Sequence, residues 1–207
     1  MFIAHPLRSP ARVFATLLVA SAGIAHGAPI GGSQISASTA LGYYNAGFNS
    51  FTIDEIHDGI VSDAYPYNGY ASGIGVTAGR ITLTLDQSYN LDSFLLWNDV
   101  NIATQGVRTF TLSFEDAAGS LLGTTSTLTA ISQFAPQTYS FASTVQGVRR
   151  VQMDVLSSDL QIEIREVAFN GEASSTGTPV PEPGSLALSI AALGAAALAW
   201  RRTSPAR

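Results

Sequence analysis

Two stretches of the chain carry residue types suited to binding chemistry. Tyr65-Pro66-Tyr67-Asn68-Gly69-Tyr70 sets three aromatic rings and an amide in a turn-rich segment, and Trp97-Asn98-Asp99-Val100-Asn101 ends an apolar run with an indole and two amides. A saccharide site needs flat aromatic faces for C–H contacts and a few fixed polar groups to set orientation. Tyr65, Tyr67, Tyr70, Trp97, Asn98 and Asn101 are therefore the candidate ligand residues. The competing assignment is packing: the tyrosines cover the end of a domain, and Trp97 belongs to its core. Tyr43-Tyr44-Asn45 repeats the aromatic–amide pattern.

Catalytic chemistry is much weaker. Paired carboxylates serve glycoside hydrolysis when they frame a bond, but Asp54-Glu55 and Glu115-Asp116 are adjacent in sequence and point oppositely on an extended chain. His57 stands beside Asp58 with no Gly-x-Ser-x-Gly nucleophile pattern anywhere. A triad assembled in space stays open, yet nothing points to one, and no catalytic residue is assigned. Arg80 and the pair Arg149-Arg150 could clamp an acidic sugar; alternation places the pair on opposite faces, which favours solvated charges.

Composition narrows the field further. The 207 residues contain ten basic side chains, all Arg, against fifteen Asp and Glu. Charged residues are 12%, about half the ~25% of an average soluble domain. Five of the ten Arg lie in the terminal segments, so between Ala28 and Val180 five Arg face fourteen acids, a net of −9. That excess excludes a phosphate-backbone binder, and no nucleic-acid partner is expected. With no Cys, disulfides, thiolate zinc and Cys nucleophiles are excluded. His57 is the sole His of the middle segment, which excludes a multi-His metal site.

The elements that must position these residues are strands. Arg80–Asp86, Thr109–Glu115, Arg150–Val155 and Leu160–Arg165 each alternate apolar with polar, the pattern of half-buried strands with charge and hydroxyls outward. Phe94-Leu95-Leu96-Trp97 is continuous and reads as a more buried strand. Asp86-Gln87-Ser88, Glu115–Gly119 and Ser157-Ser158-Asp159 are turn signals between them. No helical period is sustained between residues 40 and 172. The expected fold is all-β: an antiparallel β-sandwich or jelly roll over 28–172.

The two ends are addresses. Residues 1–27 read as a secretory signal peptide: Arg8 and Arg12, an apolar stretch from Val13 to Ala25, and small residues Ala25 and Gly27 before a cut at Ala28. The alternative is an N-terminal membrane anchor. Residues 173–179 are a Ser/Thr/Gly linker. Residues 180–207 run Val180-Pro181-Glu182-Pro183, an uncharged stretch Leu186–Trp200, then Arg201 and Arg202. Fifteen helical residues reach about 22 Å, with Trp200 and the Arg pair suited to a membrane interface as a positive stop. A simple membrane anchor is the bland version.

This tail resembles the PEP-CTERM sorting signal of Gram-negative bacteria. The resemblance implies recognition by an exosortase, passage through the membrane, and cleavage near Val180–Pro183. The middle resembles the discoidin family (coagulation factor V/VIII C-type domains), galactose-binding-like jelly rolls that include family 32 carbohydrate-binding modules. Ile35-Ser36-Ala37-Ser38, Asp58-Gly59-Ile60-Val61-Ser62-Asp63 with Tyr65, Ile81–Leu85 followed by Leu91-Asp92-Ser93-Phe94, Val148–Met153 and Glu166–Gly171 carry it in order over 33–171. The chain departs by lacking a Trp pair after Asp58-Gly59 and by a long loop from Tyr43 to Asp54. The resemblance implies ligand binding by loops at one end, and that the Asp-Gly loop meets the closing Glu around a structural Ca²⁺. Asp58, Ser62, Asp63 and Glu166 would be its oxygen ligands; turn carboxylates and a solvated strand Glu are the alternative. The expectation is a non-catalytic exported protein of the cell surface or matrix that binds extracellular polysaccharide. A structural biofilm-matrix protein without a saccharide pocket stands behind it, and a secreted hydrolase third.

Overall fold

Alternating residues build the strands where the pattern is cleanest. The computed structural model describes residues 29–47, 49–62, 64–98 and 105–174. Eleven strands are described: β1 (Pro29–Ile30), β2 (Ile35–Thr39), β3 (Tyr44–Asn45), β4 (Ser50–Phe51), β5 (Tyr70–Ala71), β6 (Gly79–Asn98), β7 (Val107–Glu115), β8 (Leu121–Thr124), β9 (Leu128–Thr129), β10 (Gln137–Ser158) and β11 (Glu163–Ala173). The only helical turns among the described residues are 3-10 turns at Gly32–Gln34 and Ile53–His57. No described helix is long and apolar enough to cross a membrane.

Two long strands organise the sandwich. The first half of β6 pairs with β2 and with Arg150–Val155 of β10, which pairs onward to β7. The second half of β6 pairs with β11 and with the first half of β10. The two strands thus pass from one layer into the other as a single antiparallel ribbon. Ile81, Leu83 and Leu85 lie beside Val151 and Met153, and these beside Phe110 and Leu112, on neighbouring strands that present one contiguous buried core. Phe94 in one layer meets Phe110 in the other at 5.9 Å, with Phe169 at 5.3 Å and Tyr139 at 6.3 Å.

Three features depart from the sequence expectation. Asp86-Gln87-Ser88 does not break the chain; β6 runs through it as a bend. The Tyr89 hydroxyl braces that bend, donating to Asp86 Oδ1 (2.8 Å) and accepting from Gln34 Nε2 (2.9 Å). Second, β6 changes face at Asp92, where the ladder with β11 skips from Gly171↔Leu91 to Asn170↔Ser93. This bulge moves the buried set from Leu91 to Phe94 and Leu96. Third, β11 does not follow the expected apolar-in, charge-out alternation. It is buried on both faces, including Glu163, Arg165 and Glu166. The 3-10 turn Ile53–His57 packs against it and β5 pairs alongside it at Glu163 and Ile164, so segments far earlier in the chain enclose this strand. Arg165 is accommodated by main-chain acceptors: Nη2 donates to Phe134 O (2.6 Å) and Asn98 O (3.3 Å), with the guanidinium 5.0 Å from the Phe134 ring centre.

The other turn signals form turns. Asp116 Oδ1 accepts from Ser120 N and Ala118 N, both at 2.8 Å, and Gly119 takes φ +83°. The Ser120 and Ala118 amides hold the Asp116 carboxyl below the usual range. β10 ends at Ser158, as Ser157-Ser158-Asp159 suggests.

Candidate functional site: a tyrosine cleft beside a buried glutamate

The segment covering β11 forms the site. Phe51 and Ala71 are buried as a small second cluster, with Tyr44, Ala46 and Tyr67 packed on it; Tyr44 stacks on Phe51 at 6.3 Å. This cluster seats Tyr67, while Tyr65 is 72% exposed. The two rings meet edge-to-face at 6.2 Å and 88°. With Asn49, Glu55, Ile60, Pro66 and Asn68 they line a cleft of about 280 Å³. Asn49 Nδ2 donates to Tyr67 O (2.9 Å), fixing the loop from the far wall. Glu55 Oε2 accepts from Gly69 N (2.9 Å), and burial, helped by the Asp58 charge, raises its carboxyl above the ordinary value. The cleft therefore offers two aromatic surfaces, two amides and one carboxyl, the mixture that orients a polyhydroxylated ligand.

The predicted ligand residues divide. Tyr65 and Tyr67 come together here. Tyr70 is a correction: it is fully buried and its hydroxyl donates to Gly42 O (2.8 Å). Asn98 is a second correction. It is fully buried, with Nδ2 donating to Val107 O (2.8 Å) and Ile131 O (3.3 Å), and Oδ1 accepting from Val107 N (2.9 Å). Its amide ties the end of β6 to β7, so it has no free edge for a ligand. Trp97 is half-buried in β6, opposite Glu166 in register, and is not among the residues lining the cleft. Asn101 lies outside the described residues. Asn49, Glu55, Ile60 and Asn68 line the cleft without having been assigned as ligand residues. Asn68 sits inside the tyrosine run and Glu55 in a carboxylate pair weighed only for catalysis, while Asn49 carried no sequence cue.

Beneath the cleft the Asp-Gly loop meets the closing strand. Gly59 N donates to Glu166 Oε1 (3.4 Å) across 107 residues of sequence. Glu166 is 4% exposed, and its Oε2 is buried without a hydrogen-bond partner. Burial, reinforced by the Asp58 charge and opposed by the Gly59 amide, pushes the Glu166 carboxyl up to about 8. The solvated-Glu alternative is thereby overturned. Asp58 Oδ1 accepts from Ile60 N (2.8 Å) and Asn68 Nδ2 (3.1 Å), and the same Asn68 nitrogen donates to Ile60 O (3.0 Å) and Glu55 O (3.3 Å). Ser62 instead closes a local turn, its hydroxyl donating to Ala64 O (2.9 Å). Asp63 lies outside the described residues, as do Val180, Pro181, Glu182, Pro183, Arg201 and Arg202. Among the described residues no three acidic or His side chains converge on one point. A cation here would depend on main-chain carbonyls as well as Asp58 and Glu166, a donor set that Ca²⁺ accepts.

Two of the three Arg candidates, Arg80 and Arg150, are paired. Arg80 binds Asp154 (2.6 Å) and Arg150 binds Glu115 (2.9 Å), so neither presents an open clamp for an acidic sugar.

Comparison with solved structures identifies the architecture. The described domain has the fold of family 32 carbohydrate-binding modules and F5/8 type C domains. The family 32 module of Clostridium perfringens NanJ in complex with galactose matches with a TM-score of 0.54 at 10% identity, covering 69% of this chain and 97% of that one. A Clostridium perfringens family 32 module in complex with GalNAc-β-1,3-galactose matches at 0.57 and 14%, covering 69% and 99%. An F5/8 type C domain from Bacteroides fragilis matches at 0.54 and 12%, covering 73% and 99%. Residues 179–202 match the PEP-CTERM protein-sorting motif. The chain is thus an exported protein with a discoidin-like domain and a C-terminal sorting signal. No curated protein sequence matches it.

Proposed function

We propose that this exported protein binds neutral saccharide through the Tyr65–Tyr67 cleft, at the cell surface or in the extracellular matrix. The observation that carries the reading is the cleft itself: two tyrosine rings at 6.2 Å over the amides of Asn49 and Asn68, on the loops of a carbohydrate-binding-module fold. The sorting motif at 179–202 supports processing by an exosortase with transient membrane anchoring, and makes extracellular polysaccharide the natural partner. The structural relatives are named as binding modules, which favours binding over catalysis. Replacing Tyr67 by Ala removes one ring face. It should weaken retention on a neutral-glycan affinity gel at least tenfold, measured at a temperature where the variant, which also loses packing on Phe51 and Ala71, is still folded. Absence of binding to any glycan, the host's own exopolysaccharide included, would assign the protein instead to the purely structural role in the matrix.

Calcium belongs to the same proposal. Glu166 and Asp58 would hold it with main-chain oxygens of the Asp58–Ile60 loop, and the ion would brace the loop under the cleft. A higher melting temperature in Ca²⁺ than in EDTA is the expected result; identical curves would remove calcium from the account.

A further inference from the structure

A second recess lies away from the tyrosine cleft, along the first half of β10. From Gln137 to Val148, β10 pairs with β6 on one side. Its ladder with β7 begins only at Arg150. The layers therefore part, and the strand edge at Tyr139–Gln146 faces the β8–β9 segment Leu122–Leu128 across a groove of about 590 Å³. Among the lining residues there is no Asp, Glu, Lys, Arg or His; hydroxyls such as Thr124, Ser126, Ser140 and Ser143 alternate with apolar side chains such as Leu122 and Phe141. Phe141 is held edge-on against Phe114 at 4.9 Å and 68°, which fixes its ring at the groove wall.

We propose that this groove is a second saccharide site, which takes a segment of a neutral polysaccharide chain. Its volume falls in the range of pockets that enclose small organic ligands. Its polar groups are uncharged donors and acceptors, matched to hydroxyls. An anionic polysaccharide would find no cation here, on a domain whose middle segment is −9 in charge. Addition of a peptide strand is disfavoured, because register shifts between Ser140, Val145 and Val148 interrupt the regular edge such pairing needs. The proposal rests on the carbohydrate reading of the domain but not on the tyrosine cleft. With both sites filled, one molecule would bridge two glycan segments.

The test uses the full chain in mild detergent, run through affinity gels carrying neutral glucans, galactans and mannans, with alginate as the anionic control. Ala142→Arg and Ser126→Arg each fill the groove from an exposed position without removing a core contact. Each is expected to weaken retention on the best neutral glycan at least tenfold at an unchanged melting temperature. Combination with Tyr67→Ala should abolish it. Folded groove variants that bind as the parent does would overturn the proposal while leaving the tyrosine cleft standing. Unchanged binding in Tyr67→Ala alone would count against the cleft and leave the groove standing. Preference for alginate, or no neutral-glycan binding by the parent, overturns the groove as well.

Discussion

In EDTA, the protein is expected to melt several degrees lower at pH 9 than at pH 5. Glu166 is the reason. Its carboxyl is pushed from an ordinary 4.5 up to about 8 in the folded protein, first by burial and then by the Asp58 charge, against the Gly59 amide. Between those two values the folded state holds a proton that the unfolded chain has released. Stability is therefore full below about 4.5, falls as pH rises through the window, and levels off above about 8. The cost is on the order of a few kcal/mol, and a domain of this size shifts by roughly 2–4 °C per kcal/mol. Glu55 is raised for the same reason, burial first, and acts in the same direction. Asp116 and Asp159 are lowered, by turn amides and by Arg108 respectively, so they act on the acid side of this window. Glu166→Gln keeps an acceptor for Gly59 N and removes the titration; it should flatten the profile and melt above the parent at pH 9. Ca²⁺, which needs the ionised carboxylate, should restore more stability at pH 9 than at pH 5. Equal melting temperatures across the window in EDTA would rule out a buried, proton-holding Glu166.

Gly171→Ala should destabilise the protein by about 1–3 kcal/mol or more, read as a lower urea midpoint at unchanged slope. Gly171 sits at the bulge where β11 passes β6. A Cβ there would overlap the Asn90 carbonyl oxygen and lie 3.1 Å from Leu91 Cα. Both obstacles are main chain, so no rotamer change relieves them. The two strands would have to move apart between Leu91 and Ser93, where the bulge sets which residues of β6 face inward. A neutral Gly171→Ala would mean the bulge can relax, and that its register is not tightly held.

Local pattern revealed the strands whose environment is local. Ile81, Leu83 and Leu85, and Phe110, Leu112 and Phe114, alternate in sequence and point into the core as expected. β11 was misleading because burial of its outer face comes from residues 53–71, about a hundred positions earlier, and nothing in Glu163-Ile164-Arg165-Glu166 announces that cover. Tyr70 and Asn98 look like ligand residues because each has a polar tip; what occupies those tips, Gly42 O and the Val107 main chain, is set by tertiary contact. Tyr65 and Tyr67 were legible because aromatics beside a Pro and an Asn in a turn-rich segment fall outside the alternating strands that build the main core. The groove edge was not, since Thr138–Thr144 reads like any hydroxyl-rich strand until its missing neighbour is seen.

The double role of β6 also dictates an order of assembly. β6 ends at Asn98 and has only β2 as an upstream partner; its other partners span Gln137 to Val155 and Ile164 to Ala173. During vectorial emergence its apolar residues must wait for partners far downstream, the situation in which chains fold slowly and associate wrongly. The first described strand waits longest: Pro29 and Ile30 pair with Asn170 and Phe169. The sheet closes only when β11 has emerged, immediately before the sorting motif at 179–202. Completion of the fold and presentation of the sorting signal thus fall at the same moment of the chain's passage.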